Sequence, residues 1–184
     1  MARKTLCRVS REPDCMRFTS LKLNSLRDLL LEELRDLYNA EQQLIEALPK
    51  MVDAAKTPDL KSAFKHHLEQ TKQHASRLEH LFARINEKAS GETCEAMKGL
   101  IKEGELIIKA EGAADVRDAG LIGAAQRVEH YEMAGYGTAR TLARRLGENE
   151  IASVLQQTLN EEAEADKKLT SIAESHVNVG AARS

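Results

Sequence analysis

The chain has 184 residues, enough for one domain with a sizeable core. Its 27 Lys and Arg nearly balance 29 Asp and Glu, so a formal charge of −2 argues against nucleic acid or an anionic membrane surface as a partner. Hydrophobic residues make up 42% and aromatics only 3%, with ten Gly and three Pro, which favours long packed helices over strands and predicts an all-α fold.

Residues 1–20 read as a flexible, basic N-terminal lead-in, with Arg3, Lys4, Arg8, Arg11 and Arg17 against Glu12 and Asp14. They lack the apolar stretch of a secretory signal. No run in the chain approaches the roughly 18 apolar residues of a membrane span, so a cytoplasmic location is expected. Cys7, Cys15 and Cys94 are too scattered for a disulfide framework or a closed zinc site.

A first long helix is predicted from about Leu23 to Ala55, capped by Ser20 or Asn24, with Pro49 kinking its last turns. Thr57-Pro58-Asp59 reads as cap, first helical proline and first-turn acid of a second helix, which Ala89-Ser90-Gly91 ends near Lys88. Residues 93–112 predict a shorter amphipathic helix. A third long helix runs from about Asp115 to Leu146, closed by Gly147, and a fourth from about Glu148 to His176. Residues 179–184 are expected to fray. The short turns make two antiparallel hairpins, and the long connection between them must cross the bundle. The expected domain, residues 21–178, is therefore a ferritin-like four-helix bundle with a long crossover connection carrying an extra short helix.

Each long helix interrupts its apolar stripe near mid-length. The first has Leu30, Leu34 and Leu37, then Glu41, then Leu44 and Leu48. The second carries His67, Thr71 and His74 between Phe64 and Leu78. The third carries Glu129 and Glu132 between Val128 and Ala139, and the fourth Glu162 and Asp166 between Leu159 and Leu169. Glu41 lies about 16 residues before its turn, level with His74 on the return helix; Glu132 is likewise level with Glu162 and Asp166. A charge buried without a partner costs several kcal/mol, so acids and imidazoles at one depth call for shared cations. Glu41, His67, His74, Glu129, Glu132, Glu162 and Asp166 are the candidate metal ligands. Carboxylate with imidazole suits iron or manganese, and two bridged ions suit this ligand number. His67 lies roughly 10 Å along the axis from His74, too far for the two to share one ion. The ordinary readings are a hydrogen-bonded core histidine at His67, an ion pair of Glu41 with Arg77, a solvated edge for Glu129 and an orienting role for Asp166. Tyr131 and Tyr136 read as packing residues, and Tyr38 as lying near the site.

Leu37-Tyr38-Asn39-Ala40-Glu41, His67-Leu68-Glu69-Gln70-Thr71, Gln126-Arg127-Val128-Glu129-His130-Tyr131-Glu132 and Leu159-Asn160-Glu161-Glu162 resemble the YciE/YciF family of bacterial ferritin-like proteins. The resemblance covers roughly residues 20–178. It implies the bundle of the ferritin, rubrerythrin and manganese-catalase class, a homodimer and a link to stress responses. Such bundles usually carry single glutamates on the first and third helices, matched by Glu41 and Glu132. They carry Glu-x-x-His pairs on the second and fourth. Here Glu162 is followed by Ala165 rather than histidine, and Glu69 by Lys72.

The expected function is that of a di-metal carboxylate protein of oxidative or general stress, with two iron ions (manganese as the alternative) that react with oxygen or peroxide. The competing expectation is a metal-free helical stress or scaffold protein acting through its surface.

Overall fold

A computed structural model describes residues 21–184; the lead-in at 1–20, with Cys7 and Cys15, lies outside the described residues. Helices α1 (Leu26–Ala54) and α2 (Pro58–Arg84) form one hairpin, and α4 (Ala114–Arg145) and α5 (Asn149–Ile172) the other. The crossover carries α3 (Glu95–Lys109), which packs over α1 and α4. Within the described residues there is no strand, and no helix is long and apolar enough to cross a membrane.

Packing at the two ends fixes the helix directions. One end joins Leu30 and Leu34 of early α1, Leu81 and Phe82 of late α2, Ala143 of late α4 and Ile151 of early α5. The other joins Val52, Leu60, Leu121 and Ile172. Thus α1 and α5 run one way, α2 and α4 the other. Because α2 finishes at one end and α4 begins at the opposite end, no short loop could join them, and the connection has to traverse the bundle. A third cluster, with Ala40, Leu44, Met97 and Val128, seats α3.

Several termini differ from the sequence expectation by one to four residues. Ser25, not Ser20 or Asn24, caps α1: its Oγ accepts from Asp28 N at 3.1 Å. Pro49 lies inside α1, which continues to Ala54. α2 stops at Arg84 because Asn86 takes a positive φ of 57°. Glu87 N then bonds Phe82 O and Asn86 N bonds Ala83 O, a Schellman pair that satisfies the last carbonyls. Gly147 (φ 79°) ends α4 in the same way. Thr57 makes no side-chain cap. Buried Asp118 of α4 accepts instead from the amides of Lys56 and Thr57, tying the first turn to the second hairpin. Cys94 caps α3, with Met97 N donating to its Sγ.

The C-terminal segment departs further from the expected frayed end. After Ile172 comes a π turn (Ala173–Val177) and then α6 (Asn178–Ala181), both packed on α4. Val177 is buried in the end cluster, and that burial anchors the segment.

Candidate metal centre

The middle of the bundle, between the two apolar ends, holds the stripe interruptions. Glu41, His67, His74, Glu129, Glu132 and Glu162 are all buried there. Their helical spacing puts them on inward faces, and the antiparallel pairing brings those faces to one depth.

Two groups of ligand-capable atoms result. In one, His67, Glu129, Glu132 and Glu162 each offer an atom within 4.8 Å of the others. In the other, Glu41, His74 and Glu162 do the same. Glu162 belongs to both, and each group has one imidazole. The two rings stand 6.5 Å apart, centroid to centroid. His67 Nε2 lies 3.3 Å from Glu129 Oε1 and 3.8 Å from Glu162 Oε2. His74 Nδ1 lies 2.8 Å from Glu162 Oε1 and 3.4 Å from Glu41 Oε1. His74 Nδ1 and Glu162 Oε1 thus meet as an ion-pair contact. Glu41 Oε2, His67 Nε2, His74 Nδ1, Glu129 Oε2 and both oxygens of Glu132 and of Glu162 are buried without a hydrogen-bond partner. Such a concentration is unusual, because buried polar atoms are almost always satisfied.

Electrostatics follow from crowding. Burial, helped by the nearby Glu162 charge, pushes Glu129 well above the carboxylate range; burial with Glu41 and Glu162 does the same to Glu132. Burial raises Glu41 to about 7, against the pull of His74. Burial would lower His74, but Glu162 and Glu41 outweigh it and raise the imidazole to about 10. Burial alone would also raise Glu162; His74 and His67 reverse that and hold it below its ordinary value. His67, whose largest influence is burial, is lowered. These shifts favour an internal ion pair of His74 with Glu162 and make ionisation of Glu129 and Glu132 costly.

Further side chains hold these groups in place. His74 Nε2 contacts Glu161 Oε2 at 2.8 Å, and Arg77 grips Glu161 through both guanidinium nitrogens, at 2.6 and 3.0 Å. With Glu161 accepting from Nε2–H, loss of the Nδ1 proton would leave that nitrogen's lone pair toward Glu41 and Glu162. Tyr136 Oη donates to Glu41 Oε1 at 2.6 Å.

Six of the seven candidate ligands are therefore brought together, and Asp166 is not. It accepts from Gln126 Nε2 at 2.9 Å and faces His130 at 3.5 Å, one turn beyond the groups. Arg77 pairs with Glu161 and not with Glu41. Tyr136 is a polar partner of the centre, where packing alone was expected. Tyr131 Oη donates to Asp36 and meets Cys94 Sγ. Tyr38 bonds Glu79 at an exposed edge and stands apart from the centre. Glu161 carried one hint in the sequence: it is three and four residues from Thr158 and Gln157, beside the stripe and within reach of a basic residue on the neighbouring helix.

Fold and centre together define a ferritin-like helical bundle with carboxylates and imidazoles at mid-depth. The chain belongs to the family described as a domain of unknown function, DUF892, which matches residues 25–182. It is 42% identical over 159 residues to Protein YciF of Escherichia coli K12, covering 86% of this chain and 96% of that protein. These are the relatives that the sequence motifs resemble. Among solved structures, the E. coli stress protein YciF matches with a TM-score of 0.82 at 42% identity, covering 85% of this chain and 99% of that one. YcfI of Rhodopseudomonas palustris, described as a candidate structural protein, matches with a TM-score of 0.81 at 42% identity over the same shares. A protein of Xanthomonas campestris, at 22% identity and a TM-score of 0.69 (86% of this chain, 98% of that one), shares the fold.

Proposed function

We propose that this protein is a di-metal carboxylate protein of a bacterial stress response, using two iron ions, with manganese as the alternative. One observation carries the reading: two overlapping groups of buried ligand atoms, most without hydrogen bonds, share Glu162. Protons alone serve these atoms poorly, since a protonated carboxyl still has a donor to satisfy. Cations at both positions would satisfy them at once. His67, Glu129, Glu132 and Glu162 would hold one ion, and Glu41, His74 and Glu162 the other. An oxygen- and nitrogen-rich set suits iron or manganese. When bound, such a pair supplies redox equivalents and Lewis acidity toward dioxygen or peroxide.

The chain's own residues perform definable tasks in this reading. Glu161 and Arg77 hold the His74 tautomer. Tyr136 holds one oxygen of Glu41 and leaves the other for a cation. The leucine-rich ends exclude water from above and below the centre. The stress role rests on the E. coli relative's description. Cytoplasmic location and homodimeric assembly belong to the same proposal.

Elemental analysis of freshly purified protein tests it, together with melting curves with and without ferrous iron or manganese(II). About two ions per chain and a raised melting temperature are expected, because a ligand that binds only the native state stabilises it. No bound metal and an unmoved melting temperature would leave the metal-free scaffold, which the description of the R. palustris relative favours.

A further inference from the structure

A cavity of about 480 Å³ opens between α1, α2, α4 and α5. It reaches His67 and Glu129, whereas Glu41 and His74 do not line it. This cavity therefore meets the centre on its His67 side. Its walls are apolar: Leu44, Leu48, Met51, Phe64, Val128 and Leu169. Its exposed lining residues are polar, Asp59, Ser62, His66, Glu164 and Lys168, so its mouth carries both signs of charge.

Size and lining restrict the occupant. A water molecule's share of liquid is about 30 Å³, so this space far exceeds what dioxygen or hydrogen peroxide would fill. It lies in the range of small-organic-molecule sites, which combine apolar walls with a few convergent polar groups. Those groups sit at the inner end. Glu129 is 2% exposed and its Oε2 has no partner; His67 is 7% exposed and its ring nitrogens have none. With both groups holding the proposed ion, a guest's polar head would meet that ion at the inner end of the cavity.

We infer that this cavity binds an organic amphiphile: an oxygen-donor head at the His67–Glu129 end and an alkyl body along the leucine-lined wall. The inference rests on the metal reading above, because Glu129 and His67 accept an anionic or oxygen-donor head only through a cation. It narrows the substrate class from any peroxide or dioxygen to molecules carrying an apolar chain.

Cobalt(II) serves as a spectroscopic probe of the centre, and decanoate and acetate share one head while differing in chain. Cobalt(II)-loaded protein is titrated with each, following the visible cobalt band and the melting temperature. Decanoate is expected to bind at least about tenfold more tightly than acetate, since burying two methylenes already suffices for that ratio. Ala165→Phe, which fills the cavity from α5, and Ser62→Trp, which covers its rim, should each weaken decanoate about tenfold while cobalt(II) and acetate binding stay unchanged. Ser62 is exposed, so that variant remains informative if Ala165→Phe misfolds. Equal affinities for the two carboxylates, or no effect from a folded cavity variant, overturn the inference and leave the metal centre standing. Failure of cobalt(II) to bind overturns both.

Discussion

The two halves of the centre share Glu162 and little else. The His74 half is braced: Glu161 and Arg77 fix the imidazole, Tyr136 fixes Glu41, and the cavity does not reach it. In the His67 half, Glu132 has no hydrogen bond on either oxygen, and His67 and Glu129 face the cavity. The same donor types, carboxylate and imidazole, have thus been placed in unequal surroundings. On the proposed metal reading, the braced half would hold its ion more firmly and the open half would be the one to meet a substrate.

The hardest test of that contrast removes the shared residue. Glu162→Ala should abolish binding at both positions by elemental analysis. It also leaves raised His74 without its main partner, and the metal-free protein should lose about 3–5 kcal/mol in denaturant melts. Glu132→Leu should divide the halves: one ion lost, the His74 position retained. Replacing an unpartnered buried acid with an apolar residue should stabilise the metal-free bundle by about 1–4 kcal/mol. A Glu132→Leu protein that still binds two ions would show that the halves are not separate.

Glu161→Gln sharpens the comparison from the braced side. Loss of the orienting carboxylate should weaken the His74 position about 10–100-fold and spare the other, read by competition against a chelator. Acidity gives a broader effect. In the metal-free protein Glu41 is raised from 4.5 to about 7 and His74 from 6.5 to about 10. Both folded-state values exceed the unfolded ones, so the native state holds more protons. Glu41's contribution is full below 4.5 and gone above about 7; that of His74 is full below 6.5 and gone above about 10. The metal-free melting temperature should therefore fall as pH rises across that window. Metal binding, which displaces those protons, should tighten over the same window. Melts at several pH values, with and without manganese(II), check both signs. The smallest effect is Tyr136→Phe, which leaves Glu41 Oε1 unpaired at a cost of about 1–3 kcal/mol in a denaturant melt.

Much of this centre was legible in the chain because its code is periodic. Glu41, His74, Glu132 and Glu162 interrupt leucine stripes at distances from two short turns that antiparallel geometry converts into one depth. Glu162 and Asp166 are indistinguishable by that measure. Both lie on the stripe, one turn apart, and only the rotation and tilt of α5 against α4 sends Glu162 inward and leaves Asp166 with Gln126.

The sequence by itself determined the helices, their pairing and the depth of the acids, because apolar spacing and turn chemistry act within a few residues of each other. Tertiary structure decided which acid is shared, that Tyr136 and Glu161 serve the centre, that Val177 docks on the bundle end, and that one half is reached by a cavity. Those outcomes depend on how side chains from separate helices meet. In these bundles the angle at which one helix lies against another comes from the whole interface, and no single segment carries it.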